Sequence, residues 1–405
     1  MKKRTLAAID VGTTKICTAV AEVTEENELR VLGVGIVPSN GMHKGLVVNI
    51  NDARESIRES VKMAERTSGY MIDSAYVGVT GRHVTSLNNR GVVAITRNDR
   101  MVRTDDLRRV LTSAHSTRLP GDRKLLHVIP RGYAVDGQEG VKNPVGMHGF
   151  RLDVETHVIT AGVTSVQNLT KCIRSNGIEI EDLVLEPLAS SEAVLTEQEK
   201  QAGIILADIG GGTTDIAIFK DGSIWHTAVL PVAGYQLTRD ISIGLGLPFD
   251  VAEKMKRDYA TVLPVYEGKS NSPNQVARDG HENSHQDLCD IVRARTEEIL
   301  RLILLELPRS GYQQVVPAGL VLTGGSSNLP GIDALGRDIL RMPVRVGVPS
   351  NIAGISDTLY NPAYATGVGL LLWGLRHTGT TKPRNFGIGL WNLMARIRKL
   401  FGKPS

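Results

Sequence analysis

Two short stretches of this chain repeat one pattern. From Leu6 the sequence reads LAAIDVGTTKICTAVAEV, and from Ile204 it reads IILADIGGGTTDIAIF. Each is an apolar run, then Asp-x-Gly, then Thr-Thr, then a second apolar run. Apolar runs on both sides of a glycine-rich turn spell a β-hairpin. Asp10 and Asp208 then end equivalent strands. The repeat divides the chain into two related halves, each opening on a strand pair around a glycine turn.

At 405 residues the chain has room for two or more domains, each with its own core. The net charge of +4 is modest and gives no footprint for nucleic acid. Cys17, Cys172 and Cys289 show no close pairing and no CxxC spacing, which points to a reducing compartment and away from a disulfide framework or zinc site. The basic start MKKR is followed by an apolar run that Asp10 interrupts, so no signal peptide is expected. No stretch reaches the roughly 18 apolar residues of a membrane span.

Between the two hairpins, Ala53, Ile57, Val61 and Ala64 recur at helical spacing and Gly69 ends the run. A block follows that mixes short strands with one expected helix, TDDLRRVLTSAHS. Thr104 is its expected N-cap, with Asp105 and Asp106 favoured in the first turn by the helix dipole. This block reads as an inserted subdomain. After it, TSVQNLTKCIRSNGIEIEDLVLEPLASSEAVL reads as helix, strand, turn, helix. The second half holds RDISIGLGLPFDVAEKMKRDYA, a polar aperiodic loop from Tyr266 to Gln286, and a long helix, DIVRARTEEILRLILLEL. AGLVLTGGSSNLPGIDAL reads as strand, glycine turn and helix, and YNPAYATGVGLLLWGL as a closing apolar helix.

A glycine-rich turn between strands presents several backbone N–H groups to one anion and lets phosphate come close. Thr13, Thr14 and Thr213 add hydroxyls, and Lys15 adds a cation. An aspartate at each strand end suits a hydrated Mg²⁺, which keeps most of its water shell. One Asp-x-Gly alone reads best as a plain structural hairpin; two copies shift the reading to a polyphosphate clamp between domains. No complete P-loop and no complete G-x-G-x-x-G occurs.

The two turns, Gly12–Thr13–Thr14–Lys15 and Gly210–Gly211–Gly212–Thr213, resemble the phosphate loops of the actin-like ATPase superfamily. Further pieces fall in matching order. LVLEPLASSEAVL is similar to the first connecting segment and places Glu186 as a water-positioning residue. AEKMKR is similar to the ribose and adenine contact helix and points to Glu253 and Lys256, then Arg257. LTGGSSNLPG is similar to the adenosine loop and points to Gly324, Gly325 and Ser326. The resemblance implies Mg²⁺–ATP between the halves, with Asp10 and Asp208 holding the metal through water and acting with Glu186 as the catalytic set.

The stretches GVTGRHVTSLNNRGVVAI and NPVGMHGFRL resemble the insert of the bacterial cell-division FtsA family, in residue order and in position. The expected fold is therefore an actin-like two-domain α/β ATPase with an FtsA-type insert and a C-terminal amphipathic helix. Its expected divisions are a first half (1–83, 163–200, 358–376), the insert (84–162) and a second half (201–357) with a smaller subdomain at about 228–308, then a linker (377–389) and the helix (390–405). The family resemblance implies ATP binding with weak or variable hydrolysis and self-association into filaments. It also implies a link from the tubulin-like FtsZ ring to the cytoplasmic side of the cell membrane at the division site. The FtsZ tail would dock on the second half, with Arg295 as the candidate contact, and later division proteins on the insert. A PilM-like pilus-assembly protein and a small-molecule kinase of the same superfamily are the alternatives. Neither needs a lipid-binding helix.

The end of the chain separates these readings. On a helix, Leu390, Leu393, Met394, Ile397, Leu400 and Phe401 fall in one arc roughly a third of the circle wide. Trp391 sits at its edge, Arg396 and Arg398 flank it, and Lys399 points away. A docked core helix is the plainer reading of such a pattern. Yet a linker with Gly379 and Pro383 precedes the segment, and no acidic residue follows Asp357. Large apolar side chains, a boundary Trp and flanking arginines describe a helix lying in an anionic lipid interface.

Overall fold

The structure, a computed structural model, describes residues 4–115, 119–264, 285–309, 316–354 and 357–377. Two sheets carry the halves. In the first the strand order is Glu179–Leu185, Ser74–Val79, Arg4–Val11, Lys15–Val23, Leu29–Pro38, Ile352–Gly354. In the second it is Ser223–Leu230, Thr214–Lys220, Ile204–Ile209, Leu320–Thr323, Val344–Val346. Both contain the expected antiparallel hairpin, Arg4–Val11 with Lys15–Val23 and Ile204–Ile209 with Thr214–Lys220. In both, the hairpin's first strand also pairs in parallel with a later strand, Ser74–Val79 or Leu320–Thr323. The likeness of the two halves thus extends beyond the turns to sheet topology.

The helices Glu186–Val194 and Ala365–His377 pack against each other between the sheets. Their core is shared, with Ala8 and Ala19 of the first sheet and Leu206 and Ala217 of the second in one cluster with Leu188, Val368 and Leu371. Gly369 makes the helix crossing close: a Cβ there would lie 1.8 Å from the Ala189 carbonyl oxygen. The helix Ile50–Ser68 forms as its spacing predicts, burying Ala53, Ile57, Val61 and Ala64. Asn49 caps its start, and Gly69 ends it at φ 71°. The strand Glu179–Leu185 runs straight into the helix at Glu186, without the turn expected there.

The insert is a sheet ordered Val84–Ala94, Arg151–Gly162, Arg123–Val135, Gln138–Val141, backed by the helix Thr104–His115. Leu107, Val110 and Leu111 of that helix form one core with Leu152 and Val154. Thr104 is the first helical residue rather than the cap. The Arg103 carbonyl accepts from the Leu107 N–H, and the Asp106 carboxylate reaches back to the Arg103 N–H at 2.9 Å. Asp106 thus plays the acidic part of a capping box, accepting from the backbone N–H of the residue that precedes the helix.

The insert does not project freely. It grips the edge strand Ser223–Leu230 of the second half. Ser86 donates to the Thr227 carbonyl at 3.0 Å, Asn88 to the Trp225 carbonyl at 3.3 Å and Ser223 to the Pro130 carbonyl at 2.8 Å. The Arg131 guanidinium lies 3.6 Å from the Trp225 ring centre. Among the described residues no helix is long and apolar enough to cross a membrane. The expected amphipathic helix and almost all of its linker lie outside the described residues, as does the expected polar loop up to residue 284. Gln286 belongs to the long helix His285–Leu304.

Candidate functional site

The two turns have equal length and meet each other. The first joins Val11 to Ile16 and the second joins Ile209 to Thr214. In this register Asp10 corresponds to Asp208 and Gly12 to Gly210. The Thr-Thr pairs do not correspond: Thr13 and Thr14 match Gly211 and Gly212, while Thr213 matches Lys15. The mismatch has a packing reason. A Cβ on Gly211 would lie 2.3 Å from Thr14 Cγ2, and one on Gly212 would lie 2.5 Å from Thr13 Oγ1. The glycines of one turn receive the threonines of the other.

Behind the second turn, its carbonyls are tied down. Gly210 accepts from Ser326 Oγ at 2.9 Å and from the Gly234 N–H at 3.1 Å, and Gly211 accepts from the Tyr235 N–H at 2.7 Å. Ser326 therefore shapes the turn rather than lining the cleft. Gly324 and Gly325 do line it, and Gly324 has to be glycine. Its φ is +85°, and a Cβ there would stand 2.4 Å from Asp208 Oδ1.

Between the turns lies a polar cavity of about 40 Å³, bordered by Asp10, Lys15, Glu186, Asp208 and Asp215. Burial pushes the Asp10 carboxyl up to about 6, opposed by Lys15 and reinforced by Asp208. Burial pushes Asp215 up to about 7, although Thr80 and Thr213 hydroxyls donate to it. Asp208 is raised by burial against the bond from Thr366 Oγ1 at 3.1 Å and the charge of Lys15. Glu186 is raised well above the ordinary carboxylate value, by burial first and then by its three acidic neighbours. Lys15 Nζ also sits 5.3 Å from the centre of the Tyr364 ring.

This donor set fits a hydrated divalent cation. Several buried carboxylates share one lysine, so added positive charge is favoured there. Yet among the described residues no three His, Cys, Asp or Glu side chains converge as a direct metal cage. Binding through water is what such an arrangement allows.

Glu253 and Lys256 stand apart from the cavity, one layer behind the second turn. Lys256 Nζ donates to Glu253 Oε2 at 2.6 Å, to Thr238 Oγ1 at 2.8 Å and to the Gly234 carbonyl at 3.2 Å. Arg295, on the helix His285–Leu304, is ion-paired with Asp240 and Glu298. Leu390, Trp391, Leu393, Met394, Arg396, Ile397, Arg398, Lys399, Leu400 and Phe401 lie outside the described residues. Asp215, Thr80 and Thr366 were not singled out from sequence. Asp215 was in reach, because equal turn lengths put it directly across the hairpin from Asp208.

Two sheets of matching topology, with glycine turns meeting over buried aspartates and paired helices between them, define a two-domain protein of the actin-like class. The solved PilM–PilN type IV pilus biogenesis complex shares this fold, with a TM-score of 0.65 at 18% identity over 91% of this chain and 98% of that one. The family model "Cell division protein FtsA" matches residues 205–369, and the model "SHS2 domain inserted in FTSA" matches residues 81–160. A cell division protein FtsA from Pseudomonas aeruginosa is 46% identical over 92% of this chain and 89% of its own length. One from Neisseria meningitidis serogroup B is 37% identical over 98% of both. The chain belongs to the cell division protein FtsA family and is an actin-like cell-division protein.

Proposed function

We propose that this chain binds Mg²⁺–ATP between its two halves, assembles with copies of itself, and ties the FtsZ ring to the membrane through residues 390–405. The observation that carries the nucleotide reading is the meeting of two glycine turns over Asp10 and Asp208. Bound there, the metal would neutralise phosphate charge, with Asp10 and Asp208 holding it through water. The turn N–H groups and Lys15 hold the phosphates. Glu253 and Lys256 brace the helix behind the second turn, where nucleoside recognition is expected.

The cavity of about 40 Å³ admits water but no polyphosphate, so binding requires the turns to part. Glu186 borders the cavity, which supports its reading as the residue that orients water. Burial among like charges raises its carboxyl well above the ordinary value, an effect that a bound cation would oppose.

Family membership supports self-association and division-protein partners, and the insert is the surface we assign to the later division proteins. Docking of the FtsZ tail near Arg295 adds a requirement: the incoming acid has to compete with Asp240 and Glu298. The tail's apolar arc and positive charge support a weak lipid tether that many aligned copies strengthen by avidity. On this reading the protein works at the cytoplasmic face of the membrane at the division site.

Electron microscopy on anionic lipid monolayers, with and without ATP, tests these parts together. The expected result is membrane-bound filaments that need nucleotide and residues 390–405. Filaments on the monolayer after deletion of 390–405 would remove the tether.

A further inference from the structure

A cavity of about 690 Å³ opens where three parts of the fold meet: the paired helices, the Phe219–Ile224 turn of the second half and the Ile129–Pro130 segment of the insert. Ile129, Leu188, Phe219, Ile224, Trp373 and Leu375 make its wall apolar. The charges on its rim are already matched. Lys200 Nζ lies 3.2 Å from Glu192 Oε1 and 3.3 Å from Glu197 Oε1, and Arg376 pairs with the same two glutamates.

Leu375, Arg376 and His377 end the closing helix, and they are part of this wall. The chain therefore leaves the described fold at the groove itself, with residues 378–405 beyond it. A flexible linker the length of 378–389 would have a root-mean-square span of roughly 20 Å, enough for residue 390 to reach the groove. That tethering gives an effective concentration in the millimolar range. Even a weak apolar contact then fills the groove ahead of a free partner.

We propose that this groove receives the apolar face of the chain's own segment 390–405 in the single subunit, and that lipid and groove compete for that face. The proposal rests on the tether reading and adds its regulation. The groove has room for several side chains of the arc Leu393, Met394, Ile397 and Leu400, not for a whole helix. Docking is therefore partial and reversible. The rim carboxylates are occupied by Lys200 and Arg376, so Arg396, Arg398 and Lys399 find no unmatched acid there, and apolar contact alone holds the tail. Groove docking is thus insensitive to salt, whereas anionic lipid attraction is screened by it. Apparent lipid affinity falls by the fraction of tail that is docked.

The test uses the full chain with a photo-cross-linking phenylalanine analogue at Leu393, below the concentration at which it assembles. The expected product is an intramolecular cross-link to residues 188–200 or 219–224, retained at high salt and lost on adding anionic phosphatidylglycerol vesicles. Two groove variants, Leu375→Glu on the rim and Ser223→Trp filling the space, lose that cross-link and bind the vesicles several-fold more tightly. A cross-link only between subunits or to another surface overturns the proposal. So does unchanged vesicle affinity in both groove variants, or a small molecule that co-purifies in the groove and blocks the cross-link. Deleting 390–405 separates the two readings: vesicle binding that survives the deletion removes the tether, while the cross-link in the full chain reports on the groove independently.

Discussion

Asp215 stands directly across the second hairpin from Asp208, in the register position that Cys17 holds across the first hairpin from Asp10. The two halves are alike in backbone but not in charge. The second hairpin brings two carboxylates to the cleft and the first hairpin brings one, together with Lys15. Replacing Asp215 with Asn removes one of several like charges that burial forces together, and keeps the shape. The expected gain in the ligand-free protein is about 1 kcal/mol, a rise in Tm of about 1 °C by calorimetry. A lower Tm would show that the bonds from Thr80 and Thr213 outweigh the repulsion.

The contact of Thr14 with Gly211 predicts a coupled pair. Gly211→Ala puts a methyl where Thr14 stands and costs about 1–3 kcal/mol of stability. Thr14→Ala restores part of that loss when added to it. A double-mutant cycle in urea is expected to give a coupling energy of about 1 kcal/mol. Additive losses would mean that the turns do not touch in solution.

Stability of the ligand-free, metal-free protein is expected to fall as pH rises. The folded-state values of Asp10, at about 6, and Asp215, at about 7, lie above the ordinary 3.8, so the folded protein holds protons that the unfolded chain has released. Their favourable contribution is complete below the ordinary value and is lost as pH rises through about 6 and then about 7. Thermal melts between pH 5 and pH 8 measure the slope. Mg²⁺ with ATP should flatten it, because a divalent cation favours the ionised carboxylates. A flat profile without ligand would contradict the buried-carboxylate cluster.

Asp208→Ala is expected to abolish Mg²⁺-dependent ATP binding in a calorimetric titration, since it removes one of the two strand-end carboxylates proposed to hold the metal through water. Unchanged affinity would refute the clamp between the turns.

Arg131→Ala strips the guanidinium from the Trp225 ring and is expected to cost about 1–2 kcal/mol. Hydrogen exchange should show the loss as faster opening of the insert, with the two half-sheets unaffected. Uniform loosening of the whole chain would mean that the contact is not local.

Much of this was legible in the sequence because it is written in short-range patterns. The hairpins, the helix ended by Gly69, and Asp10 and Asp208 at strand ends follow from period and turn chemistry alone. The aligned Thr-Thr pairs misled, because sequence similarity matched Thr13 and Thr14 to Thr213 and Thr214 while equal turn lengths shift that match. Thr80 and Thr366 were invisible because no local rule brings the end of one strand, or the start of a distant helix, to a hairpin turn. Glu253 and Lys256 carry a helical spacing that says nothing of depth, and they sit behind the second turn. The grip of the insert on Ser223–Leu230 depends on docking between distant segments, which no period encodes.

That grip has a consequence for how copies of this chain meet. Ser223–Leu230 is the outer strand of its sheet, and an outer strand with open carbonyls is a template for unwanted strand addition from another molecule. Here the Trp225 and Thr227 carbonyls are taken by Asn88 and Ser86 of the insert. The insert works as a built-in guard against runaway sheet growth.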